Sequence, residues 1–410
     1  MKRNAVGAIG AQGAQAVASF VLQVIVVHAL GLSGLGTFSI LYGVMVLVAG
    51  ILTGFVGDSL VVLERRAHPV RSALQQYALA LGTVAGIISA VVAGLSGLIT
   101  LDQAVLFAIS VLFFGLEEIM RRLLMSNFKF WRVAAIDSFS FLVVLIVVGI
   151  AKLAGVLTLD AFLIAISIGQ LGAILLGIPL LPRAERFAVG FRHADYRGVA
   201  AYGIWRSGQQ LLRPGLLTIE RTFVTIFLGL SATGLLETAR VYVAPAMLVI
   251  SGLTSFLFVS YARDKNATVT EQLPKADRAV GAMMAVTVAM GVVLLALLQL
   301  LGHILFGTTP QLAAVVGWLL YTATVSAVTP YGALAAVGGR QSLVFAFRLG
   351  DTIVSALSVV ILLALGGPAD LVPIIMCIGS VAGGVAIRLF ILVPSARRER
   401  AMVPASVPEA

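Results

Sequence analysis

Long apolar runs alternate with short polar connectors along the whole chain, and the runs are continuous rather than alternating with a period of two. Twelve runs can be read, roughly Val6–Leu30, Leu35–Val62, Ala73–Ile99, Ala104–Met125, Val133–Val156, Ala161–Leu181, Val199–Leu230, Thr233–Tyr261, Ala279–Leu301, Leu312–Val337, Leu343–Leu365 and Leu371–Val393. Each reaches or exceeds the roughly 20 residues that carry a helix across a bilayer. A membrane barrel would instead show ~10-residue segments of alternating hydrophobicity. The first run follows Lys2-Arg3 and could pass for a signal peptide. It is long, however, is interrupted by Gln12, Gln15 and Gln23, and lacks a small-residue cleavage site, so a retained helix is expected. The pattern predicts an all-α polytopic membrane protein with twelve transmembrane helices.

Composition sharpens this. Apolar residues make up 60% of the 410 positions and charged residues 11%, against roughly 25% charged in soluble domains. Mean hydropathy is +1.06. These values exclude a soluble enzyme and a disordered chain. The single cysteine, Cys377, excludes disulfide frameworks, zinc ribbons and iron–sulfur sites.

A net charge of +10 acquires meaning from its distribution. Twenty-two of the 28 basic residues fall in alternate connectors, from Lys2 and Arg3 through Arg65, Arg66 and Arg71 to Arg397, Arg398 and Arg400. The intervening connectors carry Asp102, Asp160, His303 and Asp370 instead. By the positive-inside rule both termini are expected in the cytoplasm. The expected location is the plasma (inner) membrane. The basic residues are accounted for by topology, and no nucleic-acid partner is expected. The longest connectors, Pro182–Gly198 and Arg263–Arg278, are too short to fold as domains. Walker, GxSxG and HExxH motifs are missing, so neither an enzyme nor a resident cofactor is expected.

The chain also repeats. Shifted by 198 positions, Ala8–Gly36 matches the start of the second half with eight identities. Gly10 meets Gly208, Gln12 meets Gln210, and Leu30-Gly31-Leu32-Ser33 meets Leu228-Gly229-Leu230-Ser231. Gln15 falls on Arg213 and Gln23 on Arg221. The expected organisation is an N-terminal six-helix lobe over residues 1–190 and a connector over 191–198. A C-terminal six-helix lobe over 199–394 and a cytoplasmic tail over 395–410 follow. An even number of spans per lobe makes the repeat parallel, a transporter signature with binding near the midplane.

The polar residues inside the spans are the candidate chemistry. In the seventh span, Arg206 and Arg213 lie seven apart and differ by about 20° around the helix, with Gln210 about 40° from Arg206. Arg221 lies about 80° from Arg213. Intramembrane arginines are costly and face a wet cavity or protein partners. A cationic cavity for an anionic substrate such as a phosphate is one reading, and internal pairing, for example of Arg221 with Glu220 or Glu237, is the other. The first span carries Gln12, Gln15, Ser19 and Gln23 at helical spacing, as cavity lining or as helix–helix glue. Glu237 and Arg240 form an i, i+3 pair that is either structural or a gate. Asp58, Glu117, Glu118, Asp137 and Asp351 lie near basic residues, which favours pairing over proton or cation coupling. Substrate-binding candidates are thus Arg206, Gln210, Arg213, Arg221, Gln12, Gln15 and Gln23. Glu220, Glu237, Arg240 and Asp58 are candidates for gating or coupling.

With Leu30-Gly31, Gly36 and Phe38 closing the first span and FVGDSLVVLERR closing the second, the chain resembles the polysaccharide-exporter branch of the multidrug/oligosaccharidyl-lipid/polysaccharide exporter superfamily. Ser33-Gly34 stands where members of that branch often carry Pro-Glu. The resemblance implies an alternating-access flippase for an isoprenoid-diphosphate-linked oligosaccharide. Arg206, Arg213 and Arg221 would hold the diphosphate, and other polysaccharide-assembly membrane proteins would be partners. A multidrug or cation antiporter of the same superfamily is the alternative. A membrane-embedded polymerase or ligase fits less well, because no long outer loop exists to hold a sugar chain. A major-facilitator reading fails because Asp58 is followed by Ser59 and an apolar run.

Overall fold

In a computed structural model, residues 2–64, 66–186, 194–263, 268–337 and 340–402 are described. The described residues are helical, with no strand among them. The chain runs through α1 (Lys2–Leu52), a π-helical segment (Thr53–Gly57), α2 (Asp58–Val62), α3 (His68–Leu95), α4 (Leu101–Ser126), α5 (Phe130–Leu153), α6 (Leu159–Leu180) and α7 (Tyr196–Leu228). It continues through α8 (Leu230–Arg263), α9 (Val269–Ala296), α10 (Leu298–Phe306), α11 (Leu312–Val337), α12 (Gln341–Ala364), α13 (Val372–Ala386), a second π-helical segment (Ile387–Leu392) and α14 (Val393–Met402).

Among the described residues, ten helices are long and apolar enough to cross a membrane. One of them is a 48-residue run, Gly13–Leu60, which at 1.5 Å per residue is far too long for one crossing. It breaks at Gly31, whose backbone (φ 70°, ψ −172°) is not helical, and so supplies two spans. Helix α7 is not among the ten, because Arg206, Arg213, Glu220 and Arg221 interrupt its apolar surface. Together these give an all-α polytopic membrane protein of twelve spans in two lobes.

The repeat is written into the backbone. The positive-φ glycines among the described residues are Gly31, Gly97, Gly155, Gly229, Gly307 and Gly366. They occupy, in order, the three turns opposite the basic connectors in each half. Glycine reaches this left-handed conformation without the Cβ clash that other residues meet. The shift that aligns the sequences carries Gly31 onto Gly229, and both have positive φ, 70° and 88°. Beside the Gly155 turn, Lys152 lies in the last turn of α5. There the partial negative charge of the helix end favours a cation.

Contacts divide the chain into two compact units, Met1–Thr225 and Ile226–Ala410, so most of α7 packs with the first. Within that unit small residues set the helix spacing. The buried face of α3 is Ser72, Ala73, Leu74, Ala78, Gly82, Gly86, Ala90 and Ala93. A Cβ on Gly86 would stand 2.8 Å from the Ala108 carbonyl oxygen, so α3 and α4 meet backbone to backbone. A Cβ on Gly169 would stand 2.9 Å from the Ser140 carbonyl, which brings α6 equally close to α5. Lipid tails are as apolar as leucine, so close packing and interhelical hydrogen bonds drive such association. A capping box at Thr100 and Gln103 starts α4, and the Gln103 amide donates to Asp160 at 2.6 Å, tying α4 to α6. In the second unit α11 is central, packing against α8, α9 and α13.

Candidate functional site

Helix α7 lies along the second half of α1 and the π-helical segment, on a seam of glycines spaced by seven and four: Gly43, Gly50 and Gly54. A Cβ on Gly54 would come within 2.6 Å of the Ser207 Cα and backbone nitrogen. On Gly203 it would come within 2.8 Å of the Phe55 carbonyl oxygen. Pro214 has no N–H to give the Gln210 carbonyl. That oxygen faces Gly50, 3.3 Å from where a Cβ would be. The Ser207 hydroxyl donates to the Ile51 carbonyl at 3.0 Å. Gly43 leaves room for the Arg221 guanidinium, whose Nη1 occupies the place a side chain would take.

This seam decides where the α7 stripe points. Arg206 donates from Nε (2.9 Å) and Nη2 (2.6 Å) to the Asp58 Oδ2, and from Nη1 to Gln209 at 2.6 Å. The Gln210 amide donates to the same Asp58 oxygen at 3.3 Å. Asp58 was expected to pair with basic residues near it in sequence, yet its partner lies 148 positions away. Arg221 and Glu220 are both buried. Arg213 is different. It is exposed, and no hydrogen bond or ion pair engages it among the described residues.

The stripe on the first span goes elsewhere. The side chain of Gln12 lies outside the described residues. Gln15 and Ser19 line a half-open cavity of about 70 Å³ between α1, α4, α5 and α6, with Tyr42, Phe114, Phe141, Glu117, Asp137 and Gln170 in its wall. Gln23 is buried and donates to the Ser19 carbonyl and hydroxyl, both at 3.2 Å. Gln15 thus joins this cavity wall, and the two hydrogen bonds described for Gln23 stay within α1. Beside the cavity, buried Arg121 donates to Asp137 (2.9 Å) and Glu118 (2.5 Å), with Glu117 at 3.8 Å. Arg122 adds a second contact to Glu118 at 3.3 Å. Three carboxylates thus surround one fully buried arginine.

In the second unit Glu237 is buried and accepts from Arg240 at 2.7 Å, one turn along α8. Asp351 accepts from Arg348 at 3.2 Å, packed where Gly383 leaves room for its carboxylate. Arg388 was not singled out in the sequence, although it is a lone charge in an apolar run. It sits in the second π-helical segment, donates to Asp277 at 3.3–3.4 Å and lies 5.6 Å from the Tyr331 ring, whose hydroxyl also donates to Asp277. Among the described residues, no group of three or more His, Cys, Asp or Glu side chains is placed to hold a metal ion.

No family model matches the chain, and no curated protein matches it. Its fold is that of transporters of the MOP superfamily. A MOP superfamily transporter from Pyrococcus furiosus, described as having a binding pocket of reverse polarity that suggests a different function, aligns with a TM-score of 0.67 at 13% identity. That match covers 97% of this chain and 95% of the other. The inward-facing form of a multidrug resistance MATE family transporter gives 0.66 at 12% identity over 98% and 96% of the two chains. A eukaryotic MATE transporter gives 0.59 at 15% identity over 98% and 99%.

Proposed function

We propose that this protein is a transporter working by alternating access in the plasma membrane, and that it flips an isoprenoid-diphosphate-linked oligosaccharide toward the outer leaflet for surface-polysaccharide synthesis. The observation that carries the reading is Arg213. Arg206 is neutralised by Asp58 and Arg221 is buried, while Arg213 presents an exposed guanidinium in mid-helix with no acidic partner among the described residues. An uncompensated arginine at membrane depth is costly. A diphosphate repays that cost by accepting paired, charge-assisted hydrogen bonds from the planar fork. The fold supports a carrier rather than an enzyme, and a neighbour described as having reversed pocket polarity shows that this fold is not confined to one pocket charge.

A second reading, cationic-drug antiport, is favoured by a different observation. The cavity within α1, α4, α5 and α6 is lined by Glu117, Asp137 and three aromatic rings, a suitable wall for an organic cation, and the carboxylates could couple to a proton or cation gradient. One experiment separates the two. Membrane abundance, thermal stability, export of lipid-linked sugar and efflux of a cationic dye are measured together for Arg213→Ala and Arg213→Lys. The flippase reading expects normal abundance and stability, no export from Arg213→Ala, and partial export from Arg213→Lys, whose ammonium is a point charge without the fork. Full export by Arg213→Ala discards the diphosphate contact. Dye efflux that survives Arg213→Ala but fails in Asp137→Asn establishes the antiporter.

A further inference from the structure

The turn between α4 and α5 combines exposed aromatic rings, clustered cations and an unfavourable backbone. Phe128 is the one non-glycine residue with positive φ (56°) among those described, a conformation that favours glycine. The turn is fixed by Phe128 N–H donating to Met125 and Lys129 N–H donating to the Leu124 carbonyl, at 2.9 and 3.0 Å. The side chain held in this conformation is displayed outward: Phe128 is 71% exposed and Trp131 54%. Phe128 meets Phe130 edge-on, with centroids 6.4 Å apart. Because the turn joins two membrane helices, these rings stand at the depth where amphipathic aromatic residues anchor to the interface.

Three cations converge on the same place from two elements. Lys129 donates to the Leu180 carbonyl at 3.4 Å, and Arg132 donates to the same oxygen. Arg186 donates to the carbonyls of Pro179 (2.8 Å) and Leu181 (3.2 Å). The end of α6 offers them only about half a negative charge. The nearest carboxylate, Glu185, already accepts from Asn127 at 2.7 Å and lies 3.7 Å from Arg66. Burial, and after it the neighbouring Arg132, pushes the Lys129 ammonium below its ordinary range, with Glu185 acting against them. Arg132 is exposed, and a single described hydrogen bond engages its five N–H donors.

We propose that this turn is a binding site for the phosphate headgroup of an anionic phospholipid, held by Lys129, Arg132 and Arg186 with Phe128 and Trp131 seated at the acyl boundary. Setting topology would need cations somewhere in the connector. It would need neither their convergence on one helix end nor aromatic rings held outward in a glycine conformation. The site is independent of the transported substrate.

The test uses the full-length protein in mild detergent, titrated with dioctanoyl phosphatidylglycerol and followed by native mass spectrometry. Dioctanoyl phosphatidylcholine and soluble glycerol phosphate serve as comparison ligands. An anionic surface contributes to binding by about fivefold per basic residue. Arg132→Gln should weaken phosphatidylglycerol retention about fivefold, and the Lys129→Gln, Arg132→Gln, Arg186→Gln triple roughly a hundredfold. Phe128→Gly relieves the backbone yet should lose lipid a few-fold with stability kept or raised. Arg397→Gln with Arg398→Gln, at exposed positions on α14, should lose none. If the triple variant fails to insert, Arg132→Gln and Phe128→Gly carry the test alone. Unchanged retention in Arg132→Gln, or equal loss in the α14 control, overturns the site. Competition by glycerol phosphate as strong as by the lipid also overturns it, because the turn would then be a free-anion site.

Discussion

Replacing Gly54 by alanine should part α7 from the π-helical segment. A Cβ there would stand 2.6 Å from two backbone atoms of Ser207 and 2.7 Å from the Arg206 carbonyl carbon. Ordinary contacts between carbon atoms lie at about 3.5–4.0 Å, so the overlap is on the order of 1 Å. Backbone cannot swing aside as a flexible side chain can, so α7 must translate as a body. A shift of that size stretches the 3.0 Å hydrogen bond from Ser207 to Ile51 beyond reach and loosens the Arg206–Asp58 contact. Overpacking of this kind costs about 1–3 kcal/mol, and an interhelical hydrogen bond in a membrane protein adds roughly 0.6 kcal/mol. The expected loss is about 2–3 kcal/mol, rising further for Gly54→Val. The matched control is Gly149→Ala in α5, where nothing lies within 4 Å of the new Cβ. That change should be neutral, or stabilising by up to about 1 kcal/mol through helix propensity. Equilibrium unfolding in mixed micelles measures both. If Gly54→Ala and Gly149→Ala differ by less than about 0.5 kcal/mol, the limit within which independent sites add, the backbone seam does not hold α7 in place.

Two further outcomes follow from the paired charges. In a double-mutant cycle, Asp58→Asn and Arg206→Gln should each cost about 2 kcal/mol, less than the roughly 3–5 kcal/mol of a fully buried pair because both groups are partly exposed. The double variant should cost little more than either single one, giving a coupling energy above 1 kcal/mol, whereas additivity would refute the contact. Arg121→Gln leaves Glu117, Glu118 and Asp137 facing one another without their shared cation, and should cost about 3–5 kcal/mol. Adding Asp137→Asn should recover part of that loss, and a melting temperature that falls further instead would show that Arg121 is not the group holding the carboxylates together.

Much of this protein is decided by forces that act locally and can be read along the chain. Burying a backbone segment in hydrocarbon demands a helix, so continuous apolar runs fix the spans. The need for a left-handed residue at a tight turn fixes Gly31 and, 198 positions on, Gly229. Both signals survive in the sequence because neither depends on what the segment touches. The partners of the intramembrane charges are another matter. Hydropathy places Arg206, Arg213 and Arg221 on one helix but does not say how that helix is rotated against its neighbours. Gly43, Gly50, Gly54 and Gly203 set the rotation and close approach, and in doing so they bring Arg206 to Asp58, bury Arg221 and leave Arg213 exposed. In the same way Gln15 joins Glu117 and Asp137 in one cavity wall only because α1, α4, α5 and α6 pack together. Small residues have little hydropathy and no charge, so the sequence states where the helices are, and only their packing in three dimensions selects which polar groups meet.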